Sequence, residues 1–211
     1  MGEFIFLQQF LFMLLTHFFK VLQQFDIHVL EFINHNRLTF FDPFFIFITD
    51  VATLLTYSAA ILLLLAAYAK RNFLLKRKSW LLLIGLTLNS AVVDIVKSVV
   101  RRPRPFTTYP FIHNLVAVHT SSFPSGHTAE VFMLAISVSI LFPKRIVALI
   151  FTWLWALTIA YSRMDLGVHY PSDILGSILI SGIIAFTFIN LMIMLGFFQR
   201  ANEVQLQQAN K

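Results

Sequence analysis

Residues 80–105 read WLLLIGLTLNSAVVDIVKSVVRRPRP, a long apolar run that ends among cations and prolines. A run of about 20 apolar residues is what a helix needs to cross the hydrocarbon of a bilayer. Lys97, Arg101, Arg102 and Arg104 crowd the end of this run and the loop beyond it. Charge beside lipid is costly, so an ionisable group there points to function by default. Two further polar islands lie next to long apolar runs. One is Pro124-Ser125-Gly126-His127; the other is Ser162-Arg163-x5-His169-x3-Asp173.

The rest of the composition agrees with a membrane setting. Of 211 residues, 58% are hydrophobic and only 12% are charged, and the mean hydropathy is +0.77. A soluble domain carries about twice that charge. The chain reads as an all-α, polytopic membrane helical bundle of one domain. It has no cysteine, which excludes disulfides, a thiolate nucleophile and a Cys-based zinc site. The net charge of +6 would suit nucleic acid in a soluble protein. Here the basic residues fall in short loops, where membrane orientation and phosphate binding both place them, so no nucleic-acid partner is expected.

Five spans are predicted: Phe44 to Ala69, Trp80 to Val100, His127 to Phe142, Ile146 to Tyr161 and Ile174 to Phe198. The domain reading is an N-terminal segment over 1–42, a transmembrane core over 43–198 and a polar tail over 199–211, helical or frayed. In the N-terminal segment Gln9, Thr16, Lys20, Gln23, His28, Glu31 and His35 recur at three- to four-residue steps. Phe18, Leu22, Phe25, Val29 and Phe32 form the opposing stripe. That pattern predicts an amphipathic helix lying in the interface; the alternative is a sixth span near Phe4 to Phe19. The N-terminus lacks a basic n-region and a small-x-small site, so no cleavable signal peptide is expected. Lys70, Arg71, Lys76, Arg77 and Lys78 follow the first span, and Lys144 and Arg145 lie between the third and fourth. These loops are expected on the cytoplasmic face, with all three polar islands at the opposite face. The loop from Arg101 to Phe123 is the longest, and its prolines Pro103, Pro105 and Pro110 predict irregular backbone through its first part.

Each island supports a definite chemistry. Pro171 suits the first turn of the fifth span, and Asp173 then lies four residues after His169. A carboxylate that accepts one imidazole N–H fixes the tautomer and leaves the other nitrogen free as nucleophile or base. Arg163 brings a planar fork that takes two phosphate oxygens. Ser125 is placed as a helix N-cap and Gly126 allows close backbone approach. The free N–H groups there form an anion site, with His127 at its rim able to donate a proton. Lys97 and Arg104 turn toward the same pocket. Taken singly, these are also a capped helix with an interfacial His, or a snorkelling lysine with a basic loop. Three neighbouring acids are expected to play smaller parts. Asp94 is expected to partner Lys97, and Asp165 to face water rather than pair with Arg101 or Arg102. Glu130, one turn after His127, is considered as a partner for that imidazole.

In order and spacing, the set Lys-x6-Arg-Pro, Pro-Ser-Gly-His and Ser-Arg-x5-His-x3-Asp closely resembles the type 2 phosphatidic acid phosphatase (PAP2) superfamily of membrane phosphatases. The resemblance covers Lys97 to Asp173 and implies a PAP2-like catalytic core within five or six transmembrane helices. It implies that His169 attacks phosphorus to form a phosphohistidine, that Asp173 orients it, and that His127 protonates the leaving oxygen and then helps activate water. Lys97, Arg104, Ser125, Gly126 and Arg163 would bind the phosphoryl oxygens. The family is metal-independent, so no metal and no cofactor is expected; no carboxylate cluster offers a magnesium site. A bell-shaped pH profile follows from one neutral and one protonated histidine. The expected activity is hydrolysis of a lipid phosphate at the outer face of a bacterial cytoplasmic membrane. Undecaprenyl diphosphate is favoured as substrate, then phosphatidylglycerophosphate or phosphatidic acid, and Arg101 and Arg102 are offered as holders of a second phosphate. The alternatives are a lipid phosphotransferase using the same intermediate and a non-catalytic lipid-binding or transport protein.

Overall fold

The structure is a computed structural model that describes residues 2–197; the predicted tail over 199–211 lies outside them. Seven helices follow one another: α1 Gly2–His35, α2 Asp42–Ala69, α3 Phe73–Val100, a single turn α4 Pro105–Thr108, α5 Gly126–Leu141, α6 Ile146–Asp165 and α7 Pro171–Met194. Among the described residues α2, α3, α6 and α7 are long and apolar enough to cross a membrane, and α5 is a shorter apolar helix. Helices thus cover all five predicted spans, with shifted ends, four of them at full crossing length and the third, α5, shorter. The fifth begins at Pro171, where proline suits a first helical turn, and closes at Met194 rather than at Phe198.

The short helix is the central one. α5 packs against α2, α3, α6 and α7, and most of its side chains are buried, including Val131, Phe132, Met133 and Ala135. Small and hydroxyl residues let α7 approach it closely. Ser177 Oγ donates to the Ser125 carbonyl at 3.0 Å and Ser181 Oγ to the Ala129 carbonyl at 2.9 Å. Such bonds join helices where lipid supplies no hydrophobic driving force.

The two ends of the bundle are distinct. At one end Lys78 Nζ donates to the carbonyl of Leu141. This bond puts the basic first turns of α3 beside the hairpin over 143–145, on one end of the bundle as loop charge predicted. All three polar islands lie at the other end. There the long loop departs from the irregular backbone expected of it. Pro105 opens the turn α4, because a proline lacks only an N–H that a first turn leaves unpaired anyway.

α1 is one continuous helix of 34 residues. Its second half lies on the polar-island end, where Asp26, Leu30 and Asn34 are buried. Asn34 donates to the carbonyls of His113 (2.9 Å) and Asp165 (3.0 Å) and accepts from the His113 N–H. Phe18, Phe25 and Phe32, from the predicted apolar stripe, stay exposed. Gly167 lets this junction close. It sits at φ +71, and a Cβ there would strike the His113 carbonyl.

Candidate active site

Polar side chains from several elements border one small cavity of about 150 Å³. It is lined by Lys97 from α3, Arg104 and Thr120 from the long loop, Gly126, His127 and Glu130 from α5, Arg163 from α6, and His169 from the α6–α7 loop. The three islands thus meet, although the chain separates them by dozens of residues.

His169 is 1% exposed. Its backbone N–H reaches the Arg163 carbonyl at 3.3 Å, which ties the loop to the end of α6. Its Nε2 faces Arg104 Nη1 at 3.3 Å. A guanidinium only donates, so Nε2 is the acceptor and the ring proton belongs on Nδ1. Nδ1 lies 3.5 Å from Asp173 Oδ2, longer than an ordinary hydrogen bond. Catalytic contacts of this kind commonly tighten as charge develops. The carboxylate itself is firmly held. Oδ2 accepts from the Tyr170 N–H at 2.9 Å and from Ser122 Oγ at 2.5 Å, and Oδ1 accepts from Arg102 at 2.7 Å.

Burial is the largest influence on His169. It outweighs the favourable Asp173 contact, and with the repulsion of Arg163 and Arg104 it pushes the imidazole down to about 3. The ring is therefore neutral between pH 5 and 9, with Nε2 unprotonated and facing Arg104. The acid limb of a bell-shaped profile then lies below that window, and the fall on the alkaline side belongs to the proton donor. The expected result is a kcat/KM whose alkaline limb, present in the native protein, is lost in His127→Gln. A decline that persists in the variant overturns the assignment.

The cations come from three directions. Arg104 is buried, with Nε donating to the Thr120 carbonyl (2.8 Å), Nη1 to the Val168 carbonyl (2.9 Å) and Nη2 to Thr120 Oγ1 (3.0 Å). Arg163 is 2% exposed; its Nη1 donates to Thr49 Oγ1 of α2 at 2.7 Å, and its Nε has no partner. An unpaired buried guanidinium N–H beside a small cavity suits an anion. Lys97 points toward the amino end of α5, where a Cβ on Gly126 would lie 3.8 Å from its Nζ. His127 lines the same cavity.

Several residues differ from their predicted places. Ser125 holds the N-cap position of α5, yet its side chain makes no capping bond. Its Oγ accepts from Thr128 Oγ1 at 2.9 Å, so it faces its own helix and not the cavity. Asp94 is exposed and makes no ion pair with Lys97 among the described residues; it lines a larger neighbouring cavity. Asp165 faces neither water nor Arg101 or Arg102. It is 1% exposed because α1 covers it, with Asn34 donating to its carbonyl. Glu130 does not hold His127: its oxygens accept from Thr53 Oγ1 (2.6 Å) and Ser90 Oγ (3.4 Å). Arg102 is bound to Asp26 and Asp173 and is not available for a second phosphate. Thr49, Thr53 and Thr120 carry no motif, and only the assembled helices reveal them.

The larger cavity, about 980 Å³, adjoins the small one and shares Lys97, Arg104, Val118 and Thr120 with it. Arg101 and His119 stand further out along its wall.

Comparison with known proteins agrees with this arrangement. Residues 78–196 match the PAP2 superfamily. The chain is 33% identical over 161 residues to the undecaprenyl-diphosphatase BcrC of Bacillus subtilis, covering 74% of this chain and 76% of that protein. It is 32% identical over 173 residues to the lipid A 4'-phosphatase of Bacteroides thetaiotaomicron, covering 77% and 75%. Among solved structures, LpxE of Aquifex aeolicus superposes with a TM-score of 0.68 at 25% identity, covering 79% of this chain and 95% of that one. A transmembrane PAP2-type phosphatidylglycerolphosphate phosphatase from Bacillus subtilis gives 0.69 at 19% identity, covering 88% and 94%; at that identity the likeness speaks for the fold alone.

Proposed function

This chain belongs to the PAP2 superfamily of membrane lipid phosphatases, and from that premise we propose how it works and on what. His169 is the nucleophile. Its Nε2 lone pair attacks the phosphorus, an N–P bond forms, and the bond to the lipid-side oxygen breaks. His127 gives its proton to that leaving oxygen. Water then attacks the phosphohistidine, His127 takes a proton from it, and cleavage of the N–P bond releases inorganic phosphate. Asp173 balances the imidazolium that exists between the two steps. Lys97, Arg104 and Arg163 gather the phosphoryl oxygens, with the Gly126 amide at the amino end of α5. Phosphoryl transfer asks for positioning and charge stabilisation above all, and three side-chain cations supply both without a metal.

The observation that carries this reading is the Nε2 of His169, neutral and aimed into a cavity ringed by three cations and a second histidine. A prenyl diphosphate such as undecaprenyl diphosphate is the favoured substrate, supported by the likeness to BcrC. Its scissile phosphate would occupy the small cavity, and its second phosphate would extend toward Arg101 in the larger one. We place the site at the outer face of a bacterial cytoplasmic membrane, with α1 lying in the outer interface and the exposed phenylalanines of its stripe toward lipid. The support is that the residues α1 reaches, Tyr109, His113, Asp165 and Ser172, all lie at the polar-island end.

The test is phosphate release in EDTA from purified protein. Prenyl diphosphates, phosphatidylglycerophosphate, phosphatidic acid and lipid A are compared, with His127→Gln alongside. The expected result is EDTA-resistant turnover, highest on prenyl diphosphate. The His127 variant should lose most on poor leaving groups, by about 10²- to 10⁴-fold. Loss of turnover in EDTA refutes the cation-only site, and equal loss across leaving groups refutes the acid role. Label passing to an added lipid or sugar alcohol instead of water identifies a phosphotransferase.

A further inference from the structure

Asp26 belongs to no motif and sits on the N-terminal helix, outside the residues that match the family, yet it is fully buried at the active-site end. Its Oδ1 accepts from the Ser172 N–H at 2.8 Å. Its Oδ2 accepts from Ser172 Oγ at 2.5 Å and from Arg102 Nη2 at 2.7 Å. Through Nη1 the same guanidinium donates to Asp173 Oδ1 at 2.7 Å and to Ser172 Oγ at 2.7 Å. Arg102 also lies over the Tyr170 ring, 3.9 Å from its centroid. Its carbonyl accepts from the Ser122 N–H at 2.8 Å, and the Ser122 hydroxyl holds the other oxygen of Asp173.

We infer that Asp26 and Arg102 are positioning residues: a strut from α1 through Arg102 fixes the carboxylate that orients His169. The inference rests on the proposed roles of His169 and Asp173. Its physical basis is directional. A guanidinium holds its N–H groups in one rigid plane; Nη2 is held by Asp26 and Nη1 by Asp173, so the position of α1 sets the angle of the catalytic carboxylate. Two carboxylates share the one cation, so Asp173 keeps negative charge to offer His169 when the imidazolium forms. Arg102 does not line the small cavity and borders the larger one with its guanidinium already held by Asp26 and Asp173, so its loss should leave binding of the scissile phosphate intact.

The test uses the full-length protein in lipid nanodiscs, with Asp26→Asn, Arg102→Gln and Arg102→Lys. Turnover is measured per folded molecule, folded protein being counted by size-exclusion and thermal midpoint. Because a misplacement of about 1 Å can cost 10²-fold, Asp26→Asn and Arg102→Gln should lower kcat by about 10- to 100-fold while KM moves less than about 3-fold. Arg102→Lys keeps the charge and loses the planar fork that reaches both carboxylates, so its kcat should also fall, and it serves where Arg102→Gln does not fold. The double variant should be no slower than Arg102→Gln alone, since both remove one chain of contacts.

A wild-type kcat in folded Asp26→Asn or Arg102→Lys overturns the strut. So does a loss that appears only as less folded protein, and so does a raised KM at unchanged kcat, which would make Arg102 a substrate ligand. His169→Ala separates the premises. If that variant still turns over, the nucleophile assignment fails; if it is dead while Asp26→Asn is normal, only the strut fails.

Discussion

His169→Ala should abolish phosphate release, by about 10⁴-fold or more, as removal of a nucleophile does elsewhere. The remaining site would still bind phosphate, because Arg104, Arg163 and Lys97 do not depend on the imidazole for their positions. Arg104 keeps Thr120 and Val168, and Arg163 keeps Thr49. Asp173 also stays in place through Tyr170, Ser122 and Arg102. The variant should therefore fold, bind a lipid phosphate and leave it uncleaved. Rapid quench with phosphorus-labelled substrate provides the complementary measurement. An acid-labile, alkali-stable protein adduct should form in the native protein, persist longer in His127→Gln, and be missing from His169→Ala. An adduct in His169→Ala would move the nucleophile to another residue.

Arg104→Lys should fail almost as badly as Arg104→Ala, with kcat/KM down by about 10³-fold or more, within the range seen when a phosphoryl-binding arginine is lost. A guanidinium has five N–H groups. In the structure four of them are directed at Thr120, Val168 and His169 Nε2. The bond to Nε2 occupies the very lone pair that must attack. In the proposed mechanism, incoming phosphate oxygens would draw that N–H away and free the nucleophile, the guanidinium then meeting the phosphoryl charge. Lysine has the charge but cannot brace against both Thr120 and Val168 while reaching the phosphate. Single-turnover rates on a lipid phosphate check this. Near-native cleavage by Arg104→Lys would show that charge alone suffices.

The parts of this molecule that were legible in the sequence are those set by local rules. Hydropathy located five spans, because lipid leaves a helix few alternatives. Lys97, Arg104, Gly126, His127, Arg163 and His169 were found because their spacing is fixed by helix ends, and they do converge on one cavity. What stayed hidden depends on contacts between distant segments. Asp26 looks like one more polar residue on an interfacial helix; its partner Arg102 is 76 positions away, and no periodicity encodes that pairing. Asp165 was misread for the same reason, since only the arrival of Asn34 from α1 makes its position buried. Ser125 shows a different limit. Its identity and position suit a cap, but the neighbouring Thr128 hydroxyl supplies a competing partner.

The shortness of α5 has a consequence for how substrate arrives. Its 16 residues rise about 24 Å at 1.5 Å each, against roughly 30 Å of hydrocarbon. With the hairpin over 143–145 at the inner boundary, as in the orientation proposed above, Gly126 and His127 would end several ångströms beneath the outer one. The scissile phosphate is then met at depth. A lipid brings it there by lateral diffusion, sliding its headgroup down between the helices while its tail stays in the acyl layer. A water-soluble phosphate ester must instead leave bulk solvent and descend into a recess with no tail to hold it. In that orientation, discrimination for lipids over soluble esters would be set by the length of one central helix as well as by the residues that handle the phosphate.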